Sequence, residues 1–344
     1  MENEEVKEEE LFEHYKFVAD PGQTLMRIDQ WLRHKIANVS RSRIQKTMEN
    51  DSVRVNGDVV RSNYRIKPND VVQVFLPYEQ KVFELIPEDI VIDIVHEDDD
   101  LLVVNKPAGM VVHPGHNNYT GTLVNALVYR YGVLPQKDID HRPGLVHRID
   151  KDTSGLLVVG KKDKVLGHLG QQFMEHTIHR RYLALIWGEP KEDEFTIENY
   201  LARDEKDRRK VRCSDDPERG KLAITHAKVI EKFYFCTLIE CRLETGRTHQ
   251  IRAHMSHIGH PIFSDEKYGG DKLLKGTALP KFKQFIDNAF KLMPRQALHA
   301  TELGFVHPTR AKICSLNKIC PRTLRDYMKK LRSIRRLNFN ILAF

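Results

Sequence analysis

The sequence contains few cysteines and no long apolar run. Its 344 residues include five cysteines, and no two of them form a Cys-x2-Cys pair. This usage argues against a disulfide framework or a thiolate zinc site and favours reduced thiols. No apolar stretch approaches the length of a membrane span, and residues 1–10 contain six Glu where a secretory signal would be basic. We therefore expect a cytoplasmic protein with no membrane partner.

Complete nucleotide-binding motifs are also missing. The run His147-Arg148-Ile149-Asp150 differs from the His-Arg-Asp loop of kinases because Ile149 intervenes. The run from Gly155 to Lys162 approaches a P-loop, but its middle is a strand-like Leu-Leu-Val-Val. Lys162 also stands where that motif requires Ser or Thr. The sequence therefore excludes both nucleotide-kinase interpretations and offers no convincing cofactor motif.

The charge balance favours a polyanionic partner. Lys and Arg total 55 against 48 Asp and Glu, which gives a net charge of +7 and a pI near 9.0. A basic protein with local Arg and Lys clusters most often binds nucleic acid. The hydrophobic fraction of 40% permits a packed core, and the length accommodates one domain of ordinary size and a smaller one.

The composition divides the chain into four segments. Residues 1–22 are acidic, lack periodicity and predict a flexible tail. Residues 23–78 predict a small α/β unit of two helices and a small sheet. Residues 79–333 predict a larger unit, and residues 334–344 predict a basic C-terminal tail.

The small unit shows helix and hairpin signals. Thr24 is a candidate N-cap for an amphipathic helix whose apolar face consists of Leu25, Ile28, Leu32 and Ile36. A second helix is predicted from Arg41 to Met48, and its outer face carries Arg41, Arg43 and Lys46. Asn56-Gly57 between valine-rich runs predicts a hairpin, and a last strand is predicted over residues 71–75.

The larger unit has the pattern of an α+β fold. Predicted strands outnumber helices and do not alternate with them regularly. The predicted strands are residues 91–95, 101–104, 156–160, 182–187, 224–230 and 235–243. The predicted helices are residues 123–131, 166–175, 250–256 and 323–332. Residues 203–212 are too polar for a strand in a core and predict a mobile basic insertion.

Four polar segments of the larger unit are candidates for chemistry. They are Asn105–Gly109 with Val111–Pro114, Gly144–Gly155, Arg180–Ala184, and Glu244–His254 with Arg295–Ala300. In this order and at these separations they closely resemble the RluA family of RNA pseudouridine synthases. The small unit resembles the S4-like RNA-binding domain that many of its ribosomal-RNA members carry. The resemblance covers nearly all of residues 24–310 and is closest to the subgroup that acts on large-subunit ribosomal RNA.

The resemblance implies a fold, a reaction and a partner. The fold is a mainly antiparallel sheet with a central RNA-binding cleft. The reaction is the isomerisation of uridine in 23S ribosomal RNA to pseudouridine, by base flipping and an aspartate-dependent break and re-formation of the glycosidic bond. It requires no cofactor and no metal. We further expect a monomer.

The resemblance also implies three catalytic residues. It places the essential carboxylate at Asp150, where a nucleophile toward a sugar carbon or the base is chemically suitable. Tyr182 corresponds to the tyrosine that stacks on the target base and is a candidate for moving the C5 proton. Arg252 corresponds to the basic residue that pairs with the carboxylate and keeps it ionised. Arg247 can equally serve as a phosphate contact.

The remaining predicted residues bind RNA. By resemblance, Arg148 enters the base stack and occupies the space of the flipped uridine. The full predicted RNA-binding set is Arg148, His147, Arg247, His249, Arg41, Arg43 and Lys46. His249, His254, His257 and His260 follow no known zinc pattern, and Pro261 ends their helix. Two alternatives stay open: a non-catalytic RNA-binding factor on the same scaffold, and an enzyme that modifies transfer RNA.

Overall fold

The computed structural model describes two units of the chain. The described residues are 11–36, 41–76, 85–115, 118–135, 142–205, 207–277, 279–317, 321, 324–326 and 328–332. The first unit spans residues 1–84 and the second spans residues 85–344. The predicted C-terminal tail, residues 334–344, lies outside the described residues. None of the described helices has the length and apolar character that crossing a membrane requires.

The described residues of the first unit form six short strands and two helices. The strands are β1 (Phe12–Val18), β2 (Met26–Arg27), β3 (Val53–Val55), β4 (Asp58–Val59), β5 (Arg65–Ile66) and β6 (Val71–Leu76). The helices are α1 (Ile28–Lys35) and α2 (Arg41–Glu49). Four strands form an antiparallel sheet in the order β1-β6-β3-β4, and β2 pairs with β5. Asn56 and Gly57 both have positive φ, as the predicted Asn-Gly hairpin requires.

Two predictions for the first unit were wrong. The flexible tail predicted over residues 1–22 overlaps β1, which pairs with β6 over residues 12–18, and residues 1–10 lie outside the described residues. The first helix begins at Ile28 rather than after Thr24, since Met26–Arg27 is an extended strand. Leu25 is consequently exposed, whereas Ile28, Leu32 and Ile36 are buried in the core of this unit.

The second unit is built on one ten-stranded sheet. Its strands are β7 (Ile94–Glu97), β8 (Leu101–Lys106), β9 (Ser154–Gly160), β10 (His179–Trp187), β11 (Glu194–Arg203), β12 (Val211–Ser214), β13 (Lys221–Lys232), β14 (Cys236–Leu243), β15 (Leu298–Val306) and β16 (Ile313–Asn317). The order is β12-β11-β13-β14-β10-β15-β9-β8-β7, and β16 pairs with β15. Among the described strands, only β15 and β9 pair in parallel. This mainly antiparallel sheet confirms the predicted α+β class.

Four helices accompany this sheet. They are α3 (Leu123–Tyr131), α4 (Asp163–Met174), α5 (Gln250–His257) and α6 (Pro280–Leu292). Thr122 caps α3 through a reciprocal capping box with Asn125. The largest apolar cluster includes residues of α3, α5, α6 and the central strands. Residues 324–326 and 328–332 are also helical, within the helix predicted over residues 323–332.

Three details of the second unit differ from the sequence predictions. The strand predicted over residues 91–95 begins only at Ile94, and Val91 is exposed. The predicted basic insertion of residues 203–212 overlaps a hairpin, because Arg203 at the end of β11 pairs with Val211 at the start of β12. Strands β11, β15 and β16 and helix α6 were not predicted.

Candidate active site

A polar loop that precedes β9 forms one wall of a cleft. We call residues 144–153 the aspartate loop. Its Leu145 bridges to Val159 of β9, and His147 Nε2 accepts the backbone N–H of Val158 at 3.0 Å. Within the loop, the Thr153 N–H donates to the Asp150 carbonyl at 3.1 Å. A buried strand therefore fixes the position of Asp150.

His147 has a structural role in this loop. Its ring stacks on Phe173 at 4.5 Å, and burial lowers its pKa to about 3 with help from Arg180. The neutral ring can accept the Val158 N–H through Nε2, as observed. Although His147 lines the cleft, this nitrogen is already used inside the protein. The geometry thus gives His147 a role in supporting the aspartate loop, and its RNA contact stays a prediction.

Two basic side chains hold the far side of the aspartate loop. Lys106, which is 1% exposed, donates from Nζ to the carbonyls of Pro107, Met110 and Lys151 at 2.7, 2.7 and 2.9 Å. Burial lowers the pKa of Lys106 to about 7. Arg295 donates from Nη1 to the Asp152 carbonyl at 3.0 Å. Hydrogen bonds from these two side chains therefore fix the backbone at residues 151 and 152, directly after Asp150.

Asp150 and Arg252 form the ion pair at the centre of the cleft. Arg252 Nη1 donates to Asp150 Oδ2 at 2.9 Å. Asp265, which is 1% exposed, accepts from Arg252 Nε and Nη2 at 2.7 and 2.8 Å. Burial opposes the charge of Arg252, but the hydrogen bonds and charge of Asp265 outweigh it and raise the pKa of Arg252. Of the two arginines considered, Arg252 is the partner of the carboxylate.

His249 and Tyr268 border the same carboxylate. His249 Nε2 lies 3.9 Å from Asp150 Oδ1, and His249 Nδ1 lies 3.0 Å from the Tyr268 hydroxyl. The hydroxyl also accepts the Val211 N–H at 2.9 Å. The Tyr268 ring lies 5.0 Å from the Arg252 guanidinium, at cation–π distance. Asp150 thus has a guanidinium beside one oxygen and an imidazole near the other.

Tyr182 and Arg180 line the cleft from β10. Tyr182 is 7% exposed, and burial raises the pKa of its hydroxyl, which is therefore protonated at neutral pH. A register shift between β10 and β15 falls between Arg181 and Tyr182. Such bulges commonly re-aim side chains beside active sites. Arg180 lies 5.5 Å from the Phe173 ring, and burial lowers its pKa.

The cleft brings together the predicted residues of the second unit. Its volume is about 1040 Å³. The predicted residues that line it are His147, Arg148, Asp150, Tyr182, Arg247, His249 and Arg252. Arg148 is exposed, and Arg247 donates from Nε to the Leu222 carbonyl at 3.0 Å. A basic, partly open cleft of this kind suits a polyanion, because cations neutralise phosphates along a strand.

The three predicted residues of α2 belong to the first unit. Arg41 donates from Nε to the buried Asp29 at 2.9 Å, so part of its guanidinium is already paired. Lys46 is exposed. The side chain of Arg43 lies outside the described residues. Lys46 is therefore the described cation of this helix that is most accessible to a ligand.

Sequence reasoning missed four residues that organise the cleft. Lys106 and Arg295 stood in quoted motifs but received no role, and Asp265 and Tyr268 stood outside every motif. The position of Lys106 at the end of an apolar strand was an available signal, because a buried amine there requires hydrogen-bond acceptors. The contacts of Asp265 and Tyr268 depend on a turn that brings them under α5.

Known proteins match both units. The model of the RNA pseudouridylate synthase family matches residues 100–257, and the S4 domain model matches residues 26–72. An uncharacterized RNA pseudouridine synthase of Chlorobaculum parvum is 42% identical over 321 residues, which cover 91% of this chain and 96% of the relative. Ribosomal large subunit pseudouridine synthase D of Zymomonas mobilis is 43% identical over 308 residues, which cover 89% and 93%. The solved structure of human RNA pseudouridylate synthase domain containing 1 has a TM-score of 0.51 and 25% identity, covering 71% of this chain and 96% of that chain.

The matches and the fold together define an RNA-modifying enzyme with an S4 domain at its N-terminal end. The chain belongs to the RNA pseudouridine synthase family, and its activity is that of an RNA pseudouridine synthase. The family, fold class and enzyme class expected from the sequence are thereby confirmed.

Proposed function

We propose that this enzyme modifies uridines of large-subunit (23S) ribosomal RNA. Three relatives are named ribosomal large subunit pseudouridine synthase D, from Zymomonas mobilis, Xylella fastidiosa and Xanthomonas campestris, at 43%, 41% and 38% identity. The S4 domain match adds an RNA-binding module to the catalytic unit. The monomeric state and the cytoplasmic location stay predictions from the sequence.

The paired carboxylate of Asp150 carries the proposed mechanism. The reaction breaks the bond between C1′ and N1, turns the uracil and joins C1′ to C5, while the C5 proton moves to N1. Its atoms balance without a further reactant, so one carboxylate is sufficient as nucleophile or base. The guanidinium of Arg252 donates to Asp150 Oδ2 at 2.9 Å and so fixes the orientation of the carboxylate in the cleft. The order of steps, with attack on the sugar, attack on the base or removal of a ribose proton, is open.

The exposed Arg148, the half-buried Arg247 and the buried Tyr182 of the cleft support the proposal of base flipping. A uridine inside a helix must leave the stack before its glycosidic bond can react, at a cost of a few kcal/mol. We propose that Arg148, two residues before Asp150 and exposed, fills the vacated space. Tyr182 then lies against the extruded base and is the candidate for moving the C5 proton. Arg247 contacts backbone phosphates.

The decisive experiment maps pseudouridine in all RNA classes. RNA is taken from cells that lack the gene and from cells rescued with wild type or with Asp150→Asn. We expect wild type to restore pseudouridine in large-subunit RNA. With purified protein, Asp150→Asn should lower the rate by at least ~10³-fold, because the essential charge is lost at constant shape. Asp163→Asn, an exposed acid at the start of α4, is the matched control and should behave as wild type.

Each alternative predicts a different result. Loss of pseudouridine only from transfer RNA would assign the enzyme to that substrate class. Full rescue by Asp150→Asn would refute the catalytic role of this carboxylate. Unchanged modification in every RNA class would favour the non-catalytic RNA-binding factor.

A further inference from the structure

On the side of Asp150 that faces away from Arg252, a carboxylate oxygen and a ring nitrogen of His249 lie close enough to bind the same substrate group. Asp150 Oδ2 is taken by Arg252, and Asp150 Oδ1 faces His249 Nε2 across 3.9 Å. This separation is too long for a direct hydrogen bond. It is short enough for one substrate oxygen to lie about 2.8 Å from both atoms. The nature of that oxygen depends on whether Nε2 carries a proton.

The contacts of Tyr268 favour one tautomer of His249. The Tyr268 oxygen accepts the Val211 N–H at 2.9 Å and lies 3.0 Å from His249 Nδ1, to which its own proton can be donated. An imidazole that accepts at Nδ1 carries its proton at Nε2. Burial raises the pKa of Tyr268 to about 12 and lowers the pKa of His249 to about 4, so both groups are neutral near pH 7. With this tautomer, the cleft presents the Nε2–H of His249 beside a carboxylate oxygen of Asp150.

The backbone of His249 is held in an uncommon conformation. Its φ is 54° and its ψ is 22°, in the left-handed region, and it is the N-cap of α5 without capping through its side chain. Non-glycine residues in this region are uncommon and concentrate at functional sites. The ring lies edge-on to Tyr268 with centroids 5.7 Å apart. This arrangement aims Nε2 at Asp150 instead of using the side chain to cap its own helix.

We propose that His249 Nε2–H and Asp150 Oδ1 together read the 2′-hydroxyl of the target nucleotide. A ribose hydroxyl is both donor and acceptor, so it can donate to the carboxylate and accept from the imidazole N–H. The inference rests on the proposed role of Asp150, because a carboxylate that acts beside C1′ lies next to the neighbouring C2′ hydroxyl. His249 is then a substrate-contacting residue that distinguishes ribose from deoxyribose. Tyr268 is its positioning residue.

The test is a double-mutant cycle between protein and substrate. The probe is a synthetic RNA around the uridine located by the mapping above, with either ribose or 2′-deoxyribose at that single nucleotide. The full-length protein is compared with His249→Asn and His249→Gln. Asn tolerates the left-handed conformation but is too short to donate to the same point, whereas Gln reaches it with an N–H. Single-turnover rates and dissociation constants are both measured, so a deoxy substrate that is not converted still reports through binding.

Wild type should favour ribose over deoxyribose, and His249→Asn should lower this preference about tenfold, the contribution of one hydrogen bond. The decrease in rate or affinity should occur with the ribose substrate, and His249→Gln should restore part of the preference for ribose. Tyr268→Phe, which keeps the ring over Arg252 but removes the hydroxyl, should also lower the preference. His168→Gln, an exposed histidine of α4, is the control and should keep it unchanged.

Equal loss on both substrates would overturn the proposal, because His249 would then act on another group. An unchanged preference in His249→Asn would overturn it as well. Neither result bears on the proposed catalytic role of Asp150. That role is refuted only if the Asp150→Asn variant remains active. The two hypotheses are therefore separated by different variants.

Discussion

Arg252 connects a reactive carboxylate with a structural one. Its guanidinium has three donors in use: Nη1 toward Asp150, and Nε and Nη2 toward Asp265. The fixed fork of arginine permits this double pairing, which the single ammonium of lysine does not reproduce. Asp265 bears the larger share of the contact, so it fixes the guanidinium while Asp150 remains half-buried at the cleft. Asp265 thus holds the guanidinium in place, and Asp150 is the aspartate proposed to react.

Asp265→Asn should weaken both stability and catalysis. The substitution leaves Arg252 buried with one carboxylate, and breaking a buried ion pair costs about 3 kcal/mol. We expect the free energy of unfolding in urea to fall by about that amount. The single-turnover rate should fall at least about tenfold, because the guanidinium of Arg252 is no longer held in its orientation toward Asp150. Asp163→Asn serves as the surface control. Unchanged urea midpoints and rates would show that Asp265 does not hold Arg252.

At the scale of single residues, the sequence predicted which residues line the cleft better than which residues hold them in place. Asp150, Tyr182 and Arg252 all line one cleft, as the motif order indicated. Asp265 was missed because its role depends on a turn that places it under α5, and that turn leaves no periodic signal. The structural contact of His147 was also missed, because its ring nitrogen meets the Val158 N–H only when β9 lies beside the aspartate loop in the folded chain.

Helix α5 carries Arg252 and also a buried histidine. His254 is 0% exposed, and within the described part of the chain neither ring nitrogen has a hydrogen-bond partner. Burial, with the nearby His257, lowers the pKa of His254 to about 4. A histidine in the unfolded chain takes a proton near pH 6.5. Its folded pKa is the lower one, so the stability this group contributes is present above pH 6.5 and is lost as the pH falls toward 4.

His254→Leu should therefore reduce the acid sensitivity of the protein. Wild type is expected to lose about 2 kcal/mol from this group between pH 7 and pH 4.5. The variant should avoid that loss and gain about 1 kcal/mol at pH 7, since an unpaired buried polar group is removed. The check is urea unfolding at several pH values. Parallel stability curves for wild type and variant would contradict the assignment, and His168→Leu controls for an exposed site.

Strand β9 depends on a glycine at its parallel contact. Gly155 pairs with Ala300 of β15 and has φ of +121°, and an added Cβ would lie 2.1 Å from the Ala300 carbonyl oxygen. Gly155→Ala must therefore push β15 away from β9, directly behind the aspartate loop. We expect a loss of at least about 3 kcal/mol of unfolding free energy or an insoluble product.

Gly167 of α4 supplies the matched control for this element. Nothing lies within 4 Å of the position its Cβ would take, and the site is helical. Gly167→Ala should stabilise the protein by about 0.5–1 kcal/mol, because alanine has the higher helix propensity. Thermal unfolding measures both variants. Equal stability of Gly155→Ala and wild type would show that the strands can separate without cost.

Elements with strong apolar runs were predictable, and those defined by pairing were not. Helix α3 has the bounds that its sequence predicted, and β8, β9 and β10 each extend a predicted apolar run. Strand β15 mixes His299, Glu302 and Gly304 with apolar residues, so its strand pattern is weak. Its contact with β9 joins residues that are 145 positions apart, such as Ser154 and His299. No local pattern can specify a contact at that separation.

On the scale of the whole molecule, each unit has its own apolar core. The core of the first unit consists of residues between Ala19 and Val74, and two other clusters, one of them the largest, consist of residues after 84. Each unit therefore has the separate core that an independently folding domain requires. The sequence predicted both units, because the small one has complete helix and hairpin signals of its own.

Removal of residues 1–84 should therefore weaken RNA binding and leave the chemistry intact. The catalytic unit keeps Asp150, Arg252, Asp265 and its own core, so we expect cooperative unfolding and a single-turnover rate at saturating RNA within about threefold of wild type. The dissociation constant should rise at least about tenfold. The slope of log Kd against log salt should decrease by one or two, since phosphate contacts of the first unit are lost. Lys46→Ala in the full chain removes a single cation and should decrease this slope by about one. An unchanged slope after deletion of residues 1–84 would exclude the first unit as an RNA contact.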